Sequence, residues 1–236
     1  MTAQTRIVEI RTKILKQNDI TARALRQRFE AAGVFVVSLV SSPGSGKTML
    51  LEKTLLMLRE KYRVAALVGD LATDNDAKRL ARSEVPVRQI VTGTVCHLEA
   101  EMVQTALDDW PLEDLDFLFI ENVGNLVCPA SYDLGEALRI VLFSVTEGED
   151  KPLKYPTIFN TADVALVTKS DLSAAVDFDA EAAFKNIQAV RPGMEVLTVS
   201  AKRGEGMQNW LRLLEGRRPS AMTLRTPDVP QRTAQT

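Results

Sequence analysis

The chain has 236 residues, of which 45% are hydrophobic and 25% charged, which is enough to build the core of one α/β domain. Its formal net charge of -2 provides no excess of positive charge for binding nucleic acid or an anionic membrane surface. No stretch approaches the roughly 18 apolar residues of a membrane span, and the charged N-terminus does not resemble a signal peptide, so we expect a cytoplasmic protein.

The predicted elements begin with a helical region over residues 1–33. Ile7, Ile10 and Ile14 have helical spacing, and Asp19 is a possible cap for a second helix that ends at Gly33. From residue 34 onward, short β-branched runs alternate with amphipathic helices. Strands are predicted at 34–40, 64–68, 117–120, 139–145, 164–168 and 196–199, and helices at 47–60, 74–82, 98–107, 180–190 and 207–214.

This alternation predicts an α/β fold over residues 34–216, in which helices flank a mostly parallel sheet. Residues 217–236 contain three prolines and little apolar surface, so we expect a disordered tail.

The first predicted strand leads directly into a phosphate-binding loop, or P-loop. The loop consists of Ser41, Ser42, Pro43, Gly44, Ser45, Gly46, Lys47 and Thr48. Its backbone N–H groups can bind phosphates at the start of the next helix, while Lys47 reaches the outer phosphates and the Thr48 hydroxyl binds Mg²⁺. Ser41 stands where glycine is usual. A glycine-rich turn without a ligand is the weaker alternative, because a Gly-Lys-Thr ending is specific.

Acidic residues follow two further strands. Asp70 and Glu121 each lie at the carboxyl end of a predicted strand, where neighbouring parallel strands face the ligand crevice. We predict that both bind Mg²⁺ or its waters and act in catalysis with Lys47. Asp74 is the second candidate for Asp70's role, with a helix N-cap as the equal alternative. Gly124, shortly after Glu121, can let a backbone N–H approach the γ-phosphate, so that hydrolysis releases the following segment.

Two later strand ends resemble the guanine-reading loops of GTPases. The first contains Thr168, Lys169, Ser170 and Asp171, and the second contains Ser200, Ala201 and Lys202. The Asp171 carboxylate can accept hydrogen bonds from guanine N1-H and N2-H₂, and the Ala201 N–H can donate to O6. Adenine offers no equivalent pair, so GTP is the predicted nucleotide. Thr168 replaces the usual asparagine, which leaves the bracing of this loop in question.

The sequence contains two cysteines and one histidine, and their placement predicts a metal site. Cys96 and His97 are adjacent at the predicted start of a helix, and Cys128 lies four residues after Gly124. Two thiolates and an imidazole suit Ni²⁺ or Zn²⁺ better than Mg²⁺, and three ligands leave one position open. The alternative is that each cysteine is simply a small buried side chain.

Several runs of sequence resemble the HypB family, the GTPases that deliver nickel to nickel-iron hydrogenase. They are residues 68–82, Cys96-His97, residues 121–129 and residues 200–210, and the similarity extends over residues 5–216. The resemblance implies a P-loop NTPase fold of the SIMIBI G-domain type, bound GTP or GDP with Mg²⁺, and slow GTP hydrolysis. It also implies a GTP-dependent homodimer with Cys96, His97 and Cys128 near the interface.

The implied partners are a small zinc-containing nickel chaperone and the hydrogenase large-subunit precursor, with no nucleic acid and no membrane. Some family members carry an N-terminal cysteine cluster or a histidine-rich storage segment, and neither precedes residue 34 here. We therefore expect delivery to rely on Cys96, His97 and Cys128. The alternatives are a urease-accessory nickel GTPase, whose Cys-Pro-His motif the sequence lacks, a small-molecule kinase, and a regulatory GTP-binding module with inert cysteines.

Overall fold

The computed structural model describes residues 3–70 and 75–219, so Asp74 and nearly all of the predicted disordered tail lie outside the described residues. Seven strands form one sheet in which all neighbours pair in parallel. They are β1 (Phe35–Ser41), β2 (Val64–Asp70), β3 (Val87–Val91), β4 (Phe117–Glu121), β5 (Leu138–Ser144), β6 (Val164–Thr168) and β7 (Glu195–Thr198). This arrangement confirms the predicted α/β fold with a parallel sheet.

The strand order across the sheet is β3-β2-β4-β1-β5-β6-β7, which places β1 at the centre. All seven residues of β1 and of β5 are buried, as expected for strands that are covered on both faces. Because the strands are parallel, their carboxyl ends share one edge of the sheet. The P-loop, Asp70, Glu121 and Thr168 therefore lie along the same edge.

Helices cover both faces of the sheet. They are α1 (Ala3–Ala32), α2 (Lys47–Leu58), α3 (Asn75–Leu80), α4 (Ala100–Ala106), α5 (Lys151–Lys154), α6 (Pro156–Thr161), α7 (Ala180–Val190) and α8 (Met207–Arg217). Short 3₁₀ turns occupy Ala81–Ser83, Leu112–Asp114, Cys128–Ser131, Val145–Glu147 and Ser170–Ala175. Among the described residues, no helix combines the length and the apolar character that crossing a membrane requires.

The core has two sides because successive residues of β1 point to opposite faces. Val37 packs with residues of α2 and α8 on one face, including the fully buried Trp210. Val36 packs with residues of α1 and α4 on the other. A third cluster joins β5 and β6 to α6 and α7. The N-terminal helix is therefore part of the folded core through Leu25 and Phe29, which are each 2% exposed.

Several elements differ from the sequence predictions, and the short helices α5 and α6 were not predicted. The N-terminal region is one continuous helix, and Asp19 is an exposed residue within it rather than a cap. Strand β3 was not predicted because Arg88 and Gln89 interrupt its apolar residues. Polar residues are tolerated there since β3 is an edge strand and only Ile90 among its residues is buried.

Candidate nucleotide and metal site

The P-loop has the backbone conformation needed to surround a phosphate. Gly44 and Gly46 have φ angles of 73° and 92°, a region that favours glycine, and Gly46 is the N-cap of α2. Ser45 and Lys47 are buried, at 1% and 8% exposure. The N–H groups of this loop therefore lie at a helix N-terminus, where anions bind.

The hydroxyl of Ser41 explains why glycine is not required at the first P-loop position. Lys47 Nζ donates to Ser41 Oγ at 3.0 Å, and Ser41 belongs to the extended strand β1, where a side chain causes no strain. Burial lowers the pKa of Lys47, while the nearby charge of Glu121 opposes that shift. The ammonium group thus donates to a neutral partner at the loop and lies near the charge of the Glu121 carboxylate.

Thr48 and Glu121 together present oxygen ligands suitable for Mg²⁺. The Thr48 hydroxyl donates to Glu121 Oε1 at 2.7 Å. Glu121 is 2% exposed, and its Oε2 has no hydrogen-bond partner among the described residues. A buried carboxylate oxygen beside a hydroxyl fits a hard cation.

Burial raises the pKa of Glu121 to about 7, against the opposing effect of Lys47. The charges of Asp76 and Asp70 raise it further. Asp70 lies at the end of β2 as predicted, while Asp74 is outside the described residues. Asp76, in the first turn of α3, is an acid that the sequence analysis missed, although it lies only two residues beyond Asp74. These carboxylates share one region with Lys47, where a bound cation would relieve their repulsion.

The burial of Glu121 predicts a pH-dependent stability. Its pKa is higher in the folded chain, so in the protein without Mg²⁺ and nucleotide its contribution to stability is lost as the pH rises from 4.5 to about 7. The full shift corresponds to at most about 3 kcal/mol. We expect Glu121→Gln to become progressively more stable relative to wild type between pH 5 and pH 8, as measured by urea unfolding. The exposed Glu101→Gln is the control, and a constant difference for Glu121→Gln would contradict the prediction.

The predicted guanine-reading loops converge beside the P-loop. Ser200 Oγ donates to Asp171 Oδ1 at 2.6 Å, and this bond is the main cause that lowers the pKa of Asp171. A cavity of about 250 Å³ lies at this point. It is lined by Gly46, Met49, Leu50, Thr168, Lys169, Asp171, Leu172, Val199, Ala201 and Lys202. An ionised carboxylate at the edge of such an apolar cavity can accept two hydrogen bonds from neighbouring N–H groups of a planar nucleotide base.

Thr168 braces the P-loop although it is not an asparagine. Its hydroxyl donates to the Ser45 carbonyl at 2.6 Å, and Thr168 is 4% exposed. Glu147 supports the same turn, because Ser45 Oγ donates to Glu147 Oε2 at 2.7 Å. Lys151 Nζ lies 2.8 Å from the other carboxylate oxygen, Glu147 Oε1, and forms an ion pair with it, although the angles do not suit a hydrogen bond. The role of Glu147 was missed because it is 102 residues from Ser45 and no local motif marks it.

Gly124 lies against the P-loop backbone. A Cβ atom added at Gly124 would lie 2.9 Å from Pro43 Cα and 3.0 Å from Pro43 N, closer than real Cβ contacts. Only glycine fits this approach. The P-loop is therefore in direct contact with the 122–128 segment, which links β4 to Cys128.

The three predicted metal ligands meet at the same edge of the sheet. The ligand atoms of Cys96, His97 and Cys128 all lie within 4.8 Å of one another. Cys96 Sγ lies 3.0 Å from Cys128 Sγ, well beyond the about 2.05 Å of a disulfide bond. Cys96 and His97 belong to a loop, residues 92–99, rather than to the start of a helix, because α4 begins only at Ala100. Cys128 begins a 3₁₀ turn.

His97 is buried in surroundings that favour its neutral form. It is 8% exposed and packs against Tyr132, with ring centroids 4.0 Å apart and the rings tilted by 38°. Glu99 Oε1 is 3.3 Å from Nε2, but neither ring nitrogen has a hydrogen bond of acceptable geometry among the described residues. Burial lowers the pKa of His97 despite the opposing charge of Glu99, which favours neutral imidazole. A neutral histidine beside two thiols matches the ligand preferences of Ni²⁺ and Zn²⁺.

Comparisons with known proteins agree with this geometry. Residues 35–198 match the family described as "CobW/HypB/UreG, nucleotide-binding domain". The hydrogenase maturation factor HypB of Azotobacter chroococcum is 50% identical over 225 residues, covering 94% of this chain and 73% of the relative. The chain belongs to the HypB family of hydrogenase maturation factors. The family resemblance predicted from the sequence is thereby confirmed.

Two further matches are to HypB of Helicobacter pylori. One, named hydrogenase/urease maturation factor HypB, is 43% identical over 211 residues, covering 88% of this chain and 86% of the relative. The other is the crystal structure of HypB from H. pylori in complex with nickel. It has a TM-score of 0.82 and 39% identity, and the match covers 89% of this chain and 99% of that chain. The HypB fold thus extends over nearly the whole described chain.

Proposed function

We propose that this HypB protein hydrolyses GTP and delivers nickel to the large-subunit precursor of nickel-iron hydrogenase. The observation that carries the proposal is the convergence of Cys96, His97 and Cys128 within 4.8 Å, with Cys128 four residues beyond the glycine that touches the P-loop. A related HypB has been crystallised with nickel. The nucleotide site and a soft metal site therefore share one edge of the sheet and one connecting segment.

The phosphate chemistry requires positioning and charge neutralisation rather than a covalent nucleophile. The N–H groups of Gly44 to Thr48 and the ammonium of Lys47 bind the phosphates. Thr48, Glu121 and Asp70 are the residues that would hold Mg²⁺, which supplies positive charge to the phosphate oxygens when bound. Asp171 and Ala201 select guanine, and Lys169 and Lys202 line the same cavity.

Nickel is the cargo in this proposal. Three protein ligands leave a coordination position open, so the ion can be exchanged with a donor or an acceptor protein. Zn²⁺ suits the same ligands and is the competing ion. We propose that GTP binding promotes a homodimer with this site near its interface, that a small zinc-containing nickel chaperone supplies nickel, and that hydrolysis weakens the site for transfer.

Replacing one ligand tests the proposal. We expect Cys128→Ala to weaken Ni²⁺ binding by more than about tenfold, since even altered support around metal ligands costs about 10 to 100-fold. Affinity and stoichiometry are measured by calorimetry with Ni²⁺ alone, in the GDP state and with a GTP analogue and Mg²⁺. Ser131→Ala, an exposed substitution in the same 3₁₀ turn, is the matched control. Unchanged Ni²⁺ binding in Cys128→Ala would contradict the metal site and leave a guanine-nucleotide module with inert cysteines.

Urease is a second possible client, and a specific finding favours it. The H. pylori relative bears the name hydrogenase/urease maturation factor. Transfer of nickel from the loaded protein to hydrogenase precursor or to urease apoprotein distinguishes the clients. A small-molecule kinase is the remaining alternative, and a product assay decides against it if free phosphate, not a phosphorylated metabolite, accumulates.

A further inference from the structure

Asn122 links the end of β4 to the loop that carries two metal ligands. It is 2% exposed, and its backbone N–H donates to the Leu39 carbonyl of β1 at 3.0 Å. Its side-chain Oδ1 accepts from Leu98 N at 3.0 Å and from Val123 N at 2.9 Å. Asn122 is therefore fixed to the centre of the sheet while it holds the peptide that follows His97.

Asn125 makes the corresponding contact on the other side of His97. Its side-chain Nδ2 donates to the Cys96 carbonyl at 3.3 Å, and its Oδ1 accepts from Val127 N at 2.9 Å. The two asparagines thus grip the 92–99 loop before and after His97. They differ in position, because Asn122 precedes Gly124 and Asn125 follows it. A displacement of Gly124 would carry Asn125 along and leave Asn122 in place.

Beyond the ligands, both segments are secured by the N-terminal helix. Asn18 of α1 accepts from Ala100 N at 2.8 Å and donates from Nδ2 to the Asp133 carbonyl at 2.8 Å. Arg26, also on α1, forms an ion pair with Asp133 at 2.7 Å. Residues 92–99 and 122–132 are thus followed by residues, Ala100 and Asp133, that are bonded to α1. After Gly124, the Asn125 side chain bonds the backbone of the 92–99 loop, whereas Cys96 Sγ and the His97 ring contact Cys128 and Tyr132 through side chains.

We propose that Asn125 is the positioning residue that makes Cys96 and His97 follow the nucleotide-dependent movement of Gly124. Without this link, movement of Gly124 would reach Cys96 and His97 only through their side-chain contacts with Cys128 and Tyr132, and not through the backbone of their own loop. With it, both halves of the metal site move together. The inference rests on the proposed function, and it adds a specific route by which nucleotide state sets nickel affinity.

The decisive variant is Asn125→Ser. A serine hydroxyl can still accept from Val127 N in the local turn but is too short to reach the Cys96 carbonyl. Ni²⁺ affinity is measured with GDP and with a non-hydrolysable GTP analogue plus Mg²⁺, and the readout is the ratio of the two. We expect the ratio to move toward one by about 2- to 30-fold, the range seen for residues on a coupling route. Asn125→Ala, which lacks both contacts, should show the same change.

Asn18→Ala is the matched control. It removes an asparagine that supports both ligand-bearing segments without following Gly124, so we expect it to weaken Ni²⁺ binding by the same factor in both nucleotide states. Circular dichroism and GTP-analogue affinity check that each variant folds. A wild-type ratio in Asn125→Ser, or an equal loss of ratio in Asn18→Ala, would overturn the inference alone. If wild type binds Ni²⁺ equally in both states, the nucleotide linkage of the proposed function fails and this inference with it.

Discussion

Asp171→Asn is expected to lower the affinity for GTP by about a hundredfold or more. In the proposed base site the carboxylate accepts from two N–H donors of guanine, and each hydrogen bond to a charged group contributes roughly 1.5 to 3 kcal/mol. Asparagine presents an NH₂ group in place of one carboxylate oxygen. The hydrogen bond from the guanine amino group is therefore lost, and two donors face each other instead. The same change should favour xanthine, which carries a carbonyl where guanine has its amino group. Competition binding of GTP, XTP and ATP measures this exchange of preference.

A nearby acid provides the control for that change. Asp177 is exposed and has a φ angle of 50°, a conformation that asparagine tolerates. Asp177→Asn makes the same change of charge and should leave nucleotide selection unaltered. If Asp171→Asn retained its preference for GTP over XTP, the cavity beside Gly46 would not be the base site.

Lys47→Ala is expected to reduce the rate constant for GTP hydrolysis by about 10²- to 10³-fold, the usual cost of removing one preorganised group that stabilises transition-state charge. Lys47 is 8% exposed and lies within reach of Ser41 at the start of the P-loop, so its ammonium is already positioned before nucleotide binds. Phosphate release at saturating GTP measures the effect. Lys53→Ala, at an exposed position of the same helix, controls for loss of positive charge. Equal rates in Lys47→Ala and wild type would remove this residue from the catalytic set.

Much of the nucleotide site was predictable from sequence because its chemistry depends on local order. A strand that runs into a Gly-Lys-Thr loop fixes where Lys47 and Thr48 lie, and a parallel sheet brings Glu121 to the same edge. The grouping of Cys96, His97 and Cys128 was predictable because the chain has so few cysteine and histidine residues. Their separation in sequence did not matter because Cys96 follows β3 and Cys128 follows β4, and these two strands end at the same edge of the sheet on either side of β2.

The supporting contacts were not predictable, since they join residues that are distant in sequence and common in type. The sequence around Thr168 does not indicate that its hydroxyl donates to the carbonyl of Ser45, 123 residues away. Glu147 resembles any acid at a turn until its bond to the P-loop is seen. The continuous helix α1 overrode the local signal of Asp19 because burial of Ala22, Leu25 and Phe29 rewards an unbroken helix.

The hydrogen bonds of Asn18 to Ala100 and Asp133 give the N-terminal helix α1 a structural role at the metal site. A shortened chain starting after Gly33 would keep every side chain assigned to phosphate, base or metal. It would nevertheless lose the hydrogen bonds of Asn18 to Ala100 and Asp133, which follow the two segments that carry Cys96, His97 and Cys128. The positions of these three side chains would then vary more, because the loops that carry them would have greater conformational freedom. The N-terminal helix is thus expected to stabilise the arrangement of the three metal-site side chains, although it contributes no ligand itself.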